Sequence, residues 1–331
     1  MDLILSQFPH SWYPVGLSKD VKRLKHISIK IFDADWIIFR TQSGAIGMTS
    51  RFCCHIGTDL SNGKVVGETI ECPMHAWRFD TGGRCTLIPV QSSIPDQAQL
   101  LQLSCEEHYG IIFAFYGDKP LFDFPQMNDF AKDLKHSPPL AVPLAAPYSI
   151  TALNTFDTQH YETLHSRRFI APPLVTNPDK YCLRIEYTAE IIKRRWVDYV
   201  MDKLTKSVTS VAIEAWGGSI LLLKNVDTGI ASLVCTVPTS SGSSVLYITA
   251  LKERKERQSW LVSIFDGLLL RVAAVLLKSY LSPDLNVLAN MRPHKGALLD
   301  EADDTLKHFF RYWNSLPGIT PDEQMSSEDI N

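Results

Sequence analysis

Four residues in two short loops have the types and spacing to build a metal centre. Cys53 and His55 lie in Cys53-Cys54-His55, and Cys72 and His75 in Cys72-Pro73-Met74-His75, with sixteen residues between the two groups. Each loop offers one thiolate and one imidazole. That division suits a [2Fe–2S] cluster with two Cys on one iron and two His on the other, because each loop then hands one ligand to each iron. Neutral imidazoles in place of two thiolates lower the negative charge of the cluster and raise its potential. Glycines at 57, 63, 67, 82 and 83 suit tight turns that would bring the loops together. Zinc is the competing reading, although structural zinc more often draws a Cys pair from one loop and a His or Cys pair from the other. A chance grouping of buried thiols is the third.

An electron carrier needs a destination, and Asp157, His160 and His165 offer one. Two His and a carboxylate form the facial triad of non-haem Fe(II) sites, which leaves positions open for O2 and substrate. Taken alone, the Asp-x2-His-x4-His pattern equally describes a helix whose His are ordinary polar residues. Asn154, Asp157 and His160 stand three apart, so a continuous helix over 154–165 puts them on one ridge. His165 is five residues past His160, a spacing that rotates it away in a regular α-helix. The spacing therefore predicts a π-type bulge or a helix end between the two His.

The elements that must position these groups are short strands first. His26 to Phe32 and Trp36 to Arg40 flank an Asp33-Ala34-Asp35 turn, Ala45 to Met48 follows, and Tyr109 to Tyr116 is a further apolar run. Ser137 to Pro147 is rich in proline, which disfavours helix and central strand, and reads as a connector. Strand-like runs return at 219–225, 231–237 and 245–252. An apolar helix follows, with a stripe at 261, 265, 268, 272 and 275–276 that reads as packing against a sheet, or as one wall of an apolar substrate pocket. Ser282-Pro283 reads as the start of a short new helix, and 303–313 as a last one. Residues 319–331 are acidic and polar and read as a disordered tail.

With 331 residues and a net charge of -3, the chain lacks the basic excess of a nucleic-acid binder. Leu3 to Leu5 is too short, and lacks the basic lead, for a signal peptide. Asp266, Arg271 and Lys278 interrupt the longest apolar stretch, so no transmembrane segment is expected. Seven cysteines, at 53, 54, 72, 85, 105, 182 and 235, are an odd number without an export signal, which points to a reducing cytoplasm rather than a disulfide framework.

The two Cys/His loops, with Cys72-Pro-Met-His-Ala-Trp-Arg-Phe-Asp80, resemble the Rieske domain of Rieske non-haem iron oxygenases. Asn154-x2-Asp157-x2-His160-x4-His165 resembles the same family's iron-binding segment. Cys54 stands where the family usually has Pro, and Ala76 where it usually has Gly; a small buried filler is the plain reading of Cys54. Thr58 and Met74 occupy the places of the extra cysteine pair of respiratory Rieske proteins, which points to the lower-potential oxygenase type.

The resemblance covers nearly the whole chain and implies an α+β fold. It comprises an N-terminal Rieske [2Fe–2S] β domain over 1–125, a connector over 126–147, and a helix-grip (START-like) catalytic domain over 148–318 with an antiparallel sheet and long C-terminal helices. It implies Cys53, His55, Cys72 and His75 as cluster ligands, with Trp77 covering the cluster. It assigns His160 and His165 as ligands of a mononuclear Fe(II), Asp157 as the electron-transfer bridge to a cluster His of a neighbouring subunit, and Asn154 as a nearby support. Asp284, in Asp284-x5-Asn290, is the implied third ligand, in the manner of small family members such as 3-ketosteroid hydroxylases. Its place in the first turn of a helix would also satisfy the helix dipole, and Asp300, Glu301, Asp303 and Asp304 are rival carboxylates. The implied activity is O2-dependent hydroxylation (monooxygenation) of a small organic substrate. The electrons would come from NAD(P)H through a reductase or ferredoxin, and the assembly would be a head-to-tail homotrimer. Ring dioxygenation, oxidative demethylation and a pure electron-transfer role are the alternatives.

Overall fold

Short β segments before residue 125 close into two antiparallel sheets. The protein is described here from a computed structural model covering residues 8–126, 134–240, 242–254, 260–289, 291 and 300–319. Two compact units divide the described residues, His10–Phe124 and those from Pro125 onward together with Phe8 and Pro9. Asn290 and residues 320–331 of the tail read as disordered lie outside the described residues.

In the first unit β1 (Ser11–Leu17), β2 (Lys25–Ile31), β3 (Ala34–Arg40) and β4 (Ile46–Ser50) lead into a small sheet of β5 (Lys64–Val66), β6 (Thr69–Glu71), β7 (Arg78–Phe79) and β8 (Cys85–Leu87). β9 (Gln102–His108) and β10 (Ile111–Tyr116) return to the first sheet, whose order is β1-β10-β9-β4-β3-β2. The β2–β3 turn falls one residue earlier than expected: Phe32 and Asp33 both take positive φ, as a two-residue hairpin with the twist of its strands requires. The small sheet is the part that matters for chemistry. The Cys72/His75 loop joins β6 to β7, the Cys53/His55 loop leads from β4 to β5, and a core that includes Leu60, Ile70, Phe79 and Leu100 packs against Cys53 and Cys72.

The second unit is one nine-stranded sheet with helices against it. Its elements are β11 (Leu134–His136), β12 (Leu140–Leu144), α1 (Ser149–Phe156), α2 (His160–Thr163), β13 (Arg167–Phe169), β14 (Leu174–Asp179), β15 (Cys182–Ile191), α3 (Trp196–Thr205), β16 (Val208–Trp216), β17 (Ile220–Asn225), β18 (Ile230–Ser240), β19 (Ser243–Glu253), α4 (Trp260–Leu288) and α5 (Asp304–Ser315). The main path is β11-β19-β18-β17-β16-β15-β13, every pairing antiparallel. This is the expected α+β architecture, a Rieske-type β unit followed by an antiparallel sheet gripping a long helix.

Three expectations need correction. The proline-rich stretch is not a bare connector: 140–144 is strand β12, paired with β19 alone, and such a one-sided strand tolerates Pro143. Ser282-Pro283 does not start a helix. α4 runs through it for 29 residues. Pro283 cannot donate to the Ser279 carbonyl one turn back, and the Ser282 hydroxyl donates there instead at 3.1 Å. The apolar stripe at 265, 268, 272 and 275 faces outward and is exposed, while Leu270 and Ala274 pack on Ala250 of the sheet. A helix apolar nearly all round does not declare which face is inside.

Candidate functional site

The two Cys/His loops fold alike. Cys53 N–H donates to the Thr58 carbonyl and Gly57 N–H to the Cys53 carbonyl; Cys72 N–H donates to the Trp77 carbonyl and Ala76 N–H to the Cys72 carbonyl, all at 2.8–3.0 Å. In both, the fourth residue after the Cys takes positive φ, 79° at Gly57 and 55° at Ala76. These turns bury both Cys and leave both His at the surface, with imidazole centroids 4.8 Å apart. Trp77 stacks on His55 at 4.4 Å, nearly parallel. Burial, together with the neighbouring Cys72, pushes the Cys53 thiol up to about 12. Two sulfurs set against each other in an apolar core become stable thiolates only beside a cation, so the pair fits a metal cluster with its imidazoles outermost. Cys54 is exposed, not a buried filler.

The second constellation is assembled from a broken helix. α1 ends at Phe156, whose carbonyl accepts from Thr305 Oγ1 of the α5 helix at 2.6 Å. Asp157 adopts extended backbone, and its side chain accepts from Gln159 N–H just before α2. Asn154, Asp157 and His160 therefore do not share one ridge. α2 stops at Thr163, so a helix end separates the two His, as their spacing predicts. Tyr161 Oη ties α2 back to α1 through the Thr155 carbonyl.

Asp284 meets them from α4, where Leu285 and Leu288 seat the helix on Leu144 and Ile150. His160, His165 and Asp284 are all buried, and ligand atoms from the three lie within 4.8 Å of one another. His165 Nε2 is 3.0 Å from one Asp284 oxygen, and His160 Nε2 is 3.9 Å from the other. His160 Nδ1 faces Asp157 at 3.5 Å, and Asn154 Nδ2 approaches His160 Nε2 at 3.4 Å. Burial pushes the His165 imidazole down, more than Asp284 raises it, and so favours the neutral, metal-binding form. Asp284 Oδ1 is buried without a hydrogen-bond partner. A carboxylate oxygen left unpaired beside two convergent imidazoles fits a bound divalent cation. The rival acids are occupied otherwise: Asp300 and Asp303 cap the turn that leads into α5, and Asp304 lies in its first turn.

Two residues that hold His165 have no sequence signature. Tyr280, one turn before Asp284, stacks on the His165 ring at 4.3 Å. Arg167 donates to the His165 and Ser166 carbonyls and forms a buried ion pair with Asp198 at 3.0 Å.

The Rieske [2Fe-2S] domain family matches residues 11–101. The oxygenase component of 3-ketosteroid-9-alpha-monooxygenase from Rhodococcus rhodochrous is 28% identical over half of this chain, in an alignment spanning 41% of that protein. Aminopyrrolnitrin oxygenase PrnD from Pseudomonas fluorescens is 24% identical over 92% of this chain and 90% of its own. The crystal structure of dicamba monooxygenase bound to dicamba superposes with a TM-score of 0.68 at 15% identity, covering 92% of this chain and 96% of that one. This chain carries a Rieske [2Fe–2S] domain, and over most of its length it is similar in sequence to one oxygenase and in fold to another. The alignments to the first matched curated relatives span less than half of those proteins.

In the second unit a chamber of about 890 Å³, open mouth included, adjoins the triad, and Tyr187, Leu223 and Tyr280 border both. Its wall is largely apolar, from Val197, Met201, Ile230 and Leu276 among others. Among its polar groups, Asn225 donates to Thr209 and accepts from Thr228 twice, and Arg167 is committed to Asp198.

Proposed function

We propose that this chain is a terminal oxygenase that monooxygenates a neutral, apolar small molecule, using O2 and electrons delivered through its [2Fe–2S] cluster. The convergence of His160, His165 and Asp284 beside an apolar chamber carries the reading. A pure electron-transfer protein has no use for that buried triad. Cys53, Cys72, His55 and His75 would hold the cluster, and His160, His165 and Asp284 would hold the mononuclear iron. Iron bound there supplies the redox chemistry that activates O2 for attack on the substrate.

The chain's own residues prepare that chemistry. The chamber presents no uncommitted charge, so it favours a neutral substrate and excludes ionised ones. Asp157 keeps one oxygen toward His160 Nδ1 while its side chain stays partly exposed. Burial works against the Asp157 carboxylate, but bonding to His160 outweighs it and leaves the group lowered and ionised, ready to accept an imidazole N–H from outside. That imidazole belongs to the cluster loops of a second copy in a head-to-tail homotrimer. The exposed Ile56 and Met74 beside His55 and His75 support burial of these tips at a subunit boundary. An NAD(P)H-dependent reductase, directly or through a ferredoxin, reduces the cluster. The free cysteines support a reducing, cytoplasmic setting.

The test is metal analysis with product analysis under labelled O2. Iron beyond the cluster pair and one labelled oxygen in the product are expected. A chain that binds only the cluster and oxidises nothing returns the reading to electron transfer.

A further inference from the structure

The helices that wall the chamber are apolar on their outer faces as well. On α4, Ile264, Phe265, Leu268, Val272 and Val275 are exposed, Phe265 by 65%. Their spacing of one, three and four residues makes them a single stripe three turns long. On α3, Trp196 (59%) and Tyr199 are exposed one turn apart, and Leu204, also exposed, lines the chamber. The chamber therefore reaches the surface of α3 at Leu204.

Charge on the face is one-sided. Arg271 and Lys278 are exposed along one edge of the stripe, seven residues apart, and Lys203 and Lys206 lie at the end of α3. The acids of both helices are withdrawn. Asp266 is buried against Lys252, Asp284 is in the metal site, Asp198 is buried with Arg167, and Asp202 is held by Lys193 and Ser207. No helix among the described residues is long and apolar enough to cross a membrane. An apolar stripe edged with cations, with Trp and Tyr beside it, fits the headgroup boundary of an anionic bilayer. A self-complementary contact with a second copy would set these cations against themselves.

We propose that the α3–α4 face docks on an anionic lipid surface and that the chamber takes its apolar substrate from the lipid through the mouth at Leu204. The loading step rests on the oxygenase reading. The docking does not, so it is tested without turnover.

The experiment is flotation of the cluster-loaded protein with phosphatidylcholine vesicles, with and without phosphatidylserine. The protein is expected to float with the anionic vesicles and to stay behind with the neutral ones. Ile264→Ser/Phe265→Ser/Leu268→Ser changes only exposed positions and is expected to weaken flotation at least about tenfold. Arg271→Glu/Lys278→Glu is expected to abolish the preference for phosphatidylserine. Brominated lipid is expected to quench part of the tryptophan emission, and Trp196→Phe to remove that part. Cluster absorption reports that each variant is folded. The proposal is overturned if the parent protein ignores both vesicle types, if the triple variant floats as well as the parent, or if the triple change only lowers the oligomeric state.

Discussion

Arg167 Nη1 donates to the main-chain carbonyl of His165 at 2.9 Å, and the same nitrogen pairs with Asp198 at 3.0 Å. One buried guanidinium thus fixes the backbone of a His in the proposed metal site and pairs with a fully buried carboxylate. Arg167→Met removes the close partner of Asp198 and leaves only the Arg195 guanidinium, 3.9 Å away; breaking a buried pair costs about 3–5 kcal/mol. Adding Asp198→Asn removes the poorly paired charge while keeping an acceptor for the Arg195 N–H at the start of α3. The double variant is expected to unfold in urea at a higher midpoint than Arg167→Met alone, yet to retain less mononuclear iron than the parent. Equal iron occupancy in parent and double variant would remove Arg167 from the positioning of His165.

Asp284 and Asp157 both approach the imidazoles, but from different sides. Asp284 faces the Nε2 atoms and Asp157 faces Nδ1 of His160. Asp284→Ala is expected to strip the mononuclear iron by more than the 10–100-fold typical of a lost outer partner, with the cluster spectrum unchanged. Asp157→Asn is expected to keep both metals and lose most substrate oxidation coupled to electron supply. Metal analysis and turnover on the same two preparations separate ligand from bridge, and full coupled turnover in Asp157→Asn would sink the bridge role.

The two Cys/His loops were legible because each candidate ligand sits within four residues of another in its loop, where spacing alone suggests the chemistry. Asp284 was legible by its motif even though its helix was misread. Pro283 looks like a helix start, and only the Ser282 hydroxyl, bonded to Ser279, shows why the helix passes through it. Arg167 and Tyr280 gave no signal, because their roles depend on α3 and α4 meeting residues about 30 and 115 positions away in the chain. β15 did carry a signal. Its buried residues alternate from Leu183 to Ile191, but polar residues between them dilute the apolar run that marks a strand. Periodicity located the stripe on α4 and could not tell whether sheet or solvent lay over it.

Arg51 grips Asp59 through two hydrogen bonds of 2.9 and 2.6 Å, bracing the loop that carries Cys53 and His55. The guanidinium holds the Asp59 carboxyl well below the usual carboxylate range. A depressed acid stabilises the fold above its unfolded value of about 3.9, and the contribution is lost as pH falls through the folded value. Asp59→Asn is therefore expected to be less stable at neutral pH and to lose less on further acidification. Thermal unfolding followed from about pH 6 to about pH 3 compares the two slopes. Parallel slopes would mean the pair is too well solvated to matter.

Gly57 and Ala76 occupy the same position in their two loops, both at positive φ, but only one of them is glycine. The left-handed region costs a residue with a Cβ about 1 kcal/mol or more, whereas glycine enters it freely. Nothing lies within 4 Å of a Cβ built on Gly57, so a substitution there meets backbone strain and no clash. Gly57→Ala should accordingly cost about 1 kcal/mol. Ala76→Gly relieves the same strain but loosens the unfolded chain, which returns part of the gain, so a net stabilisation of up to about 1 kcal/mol is expected. Guanidinium unfolding followed by the cluster's visible absorption measures both. The double variant is expected near the parent, since each change moves the same strain from one loop to the other. If Ala76→Gly instead destabilises the cluster, the Ala76 methyl makes a contact worth more than the strain it brings.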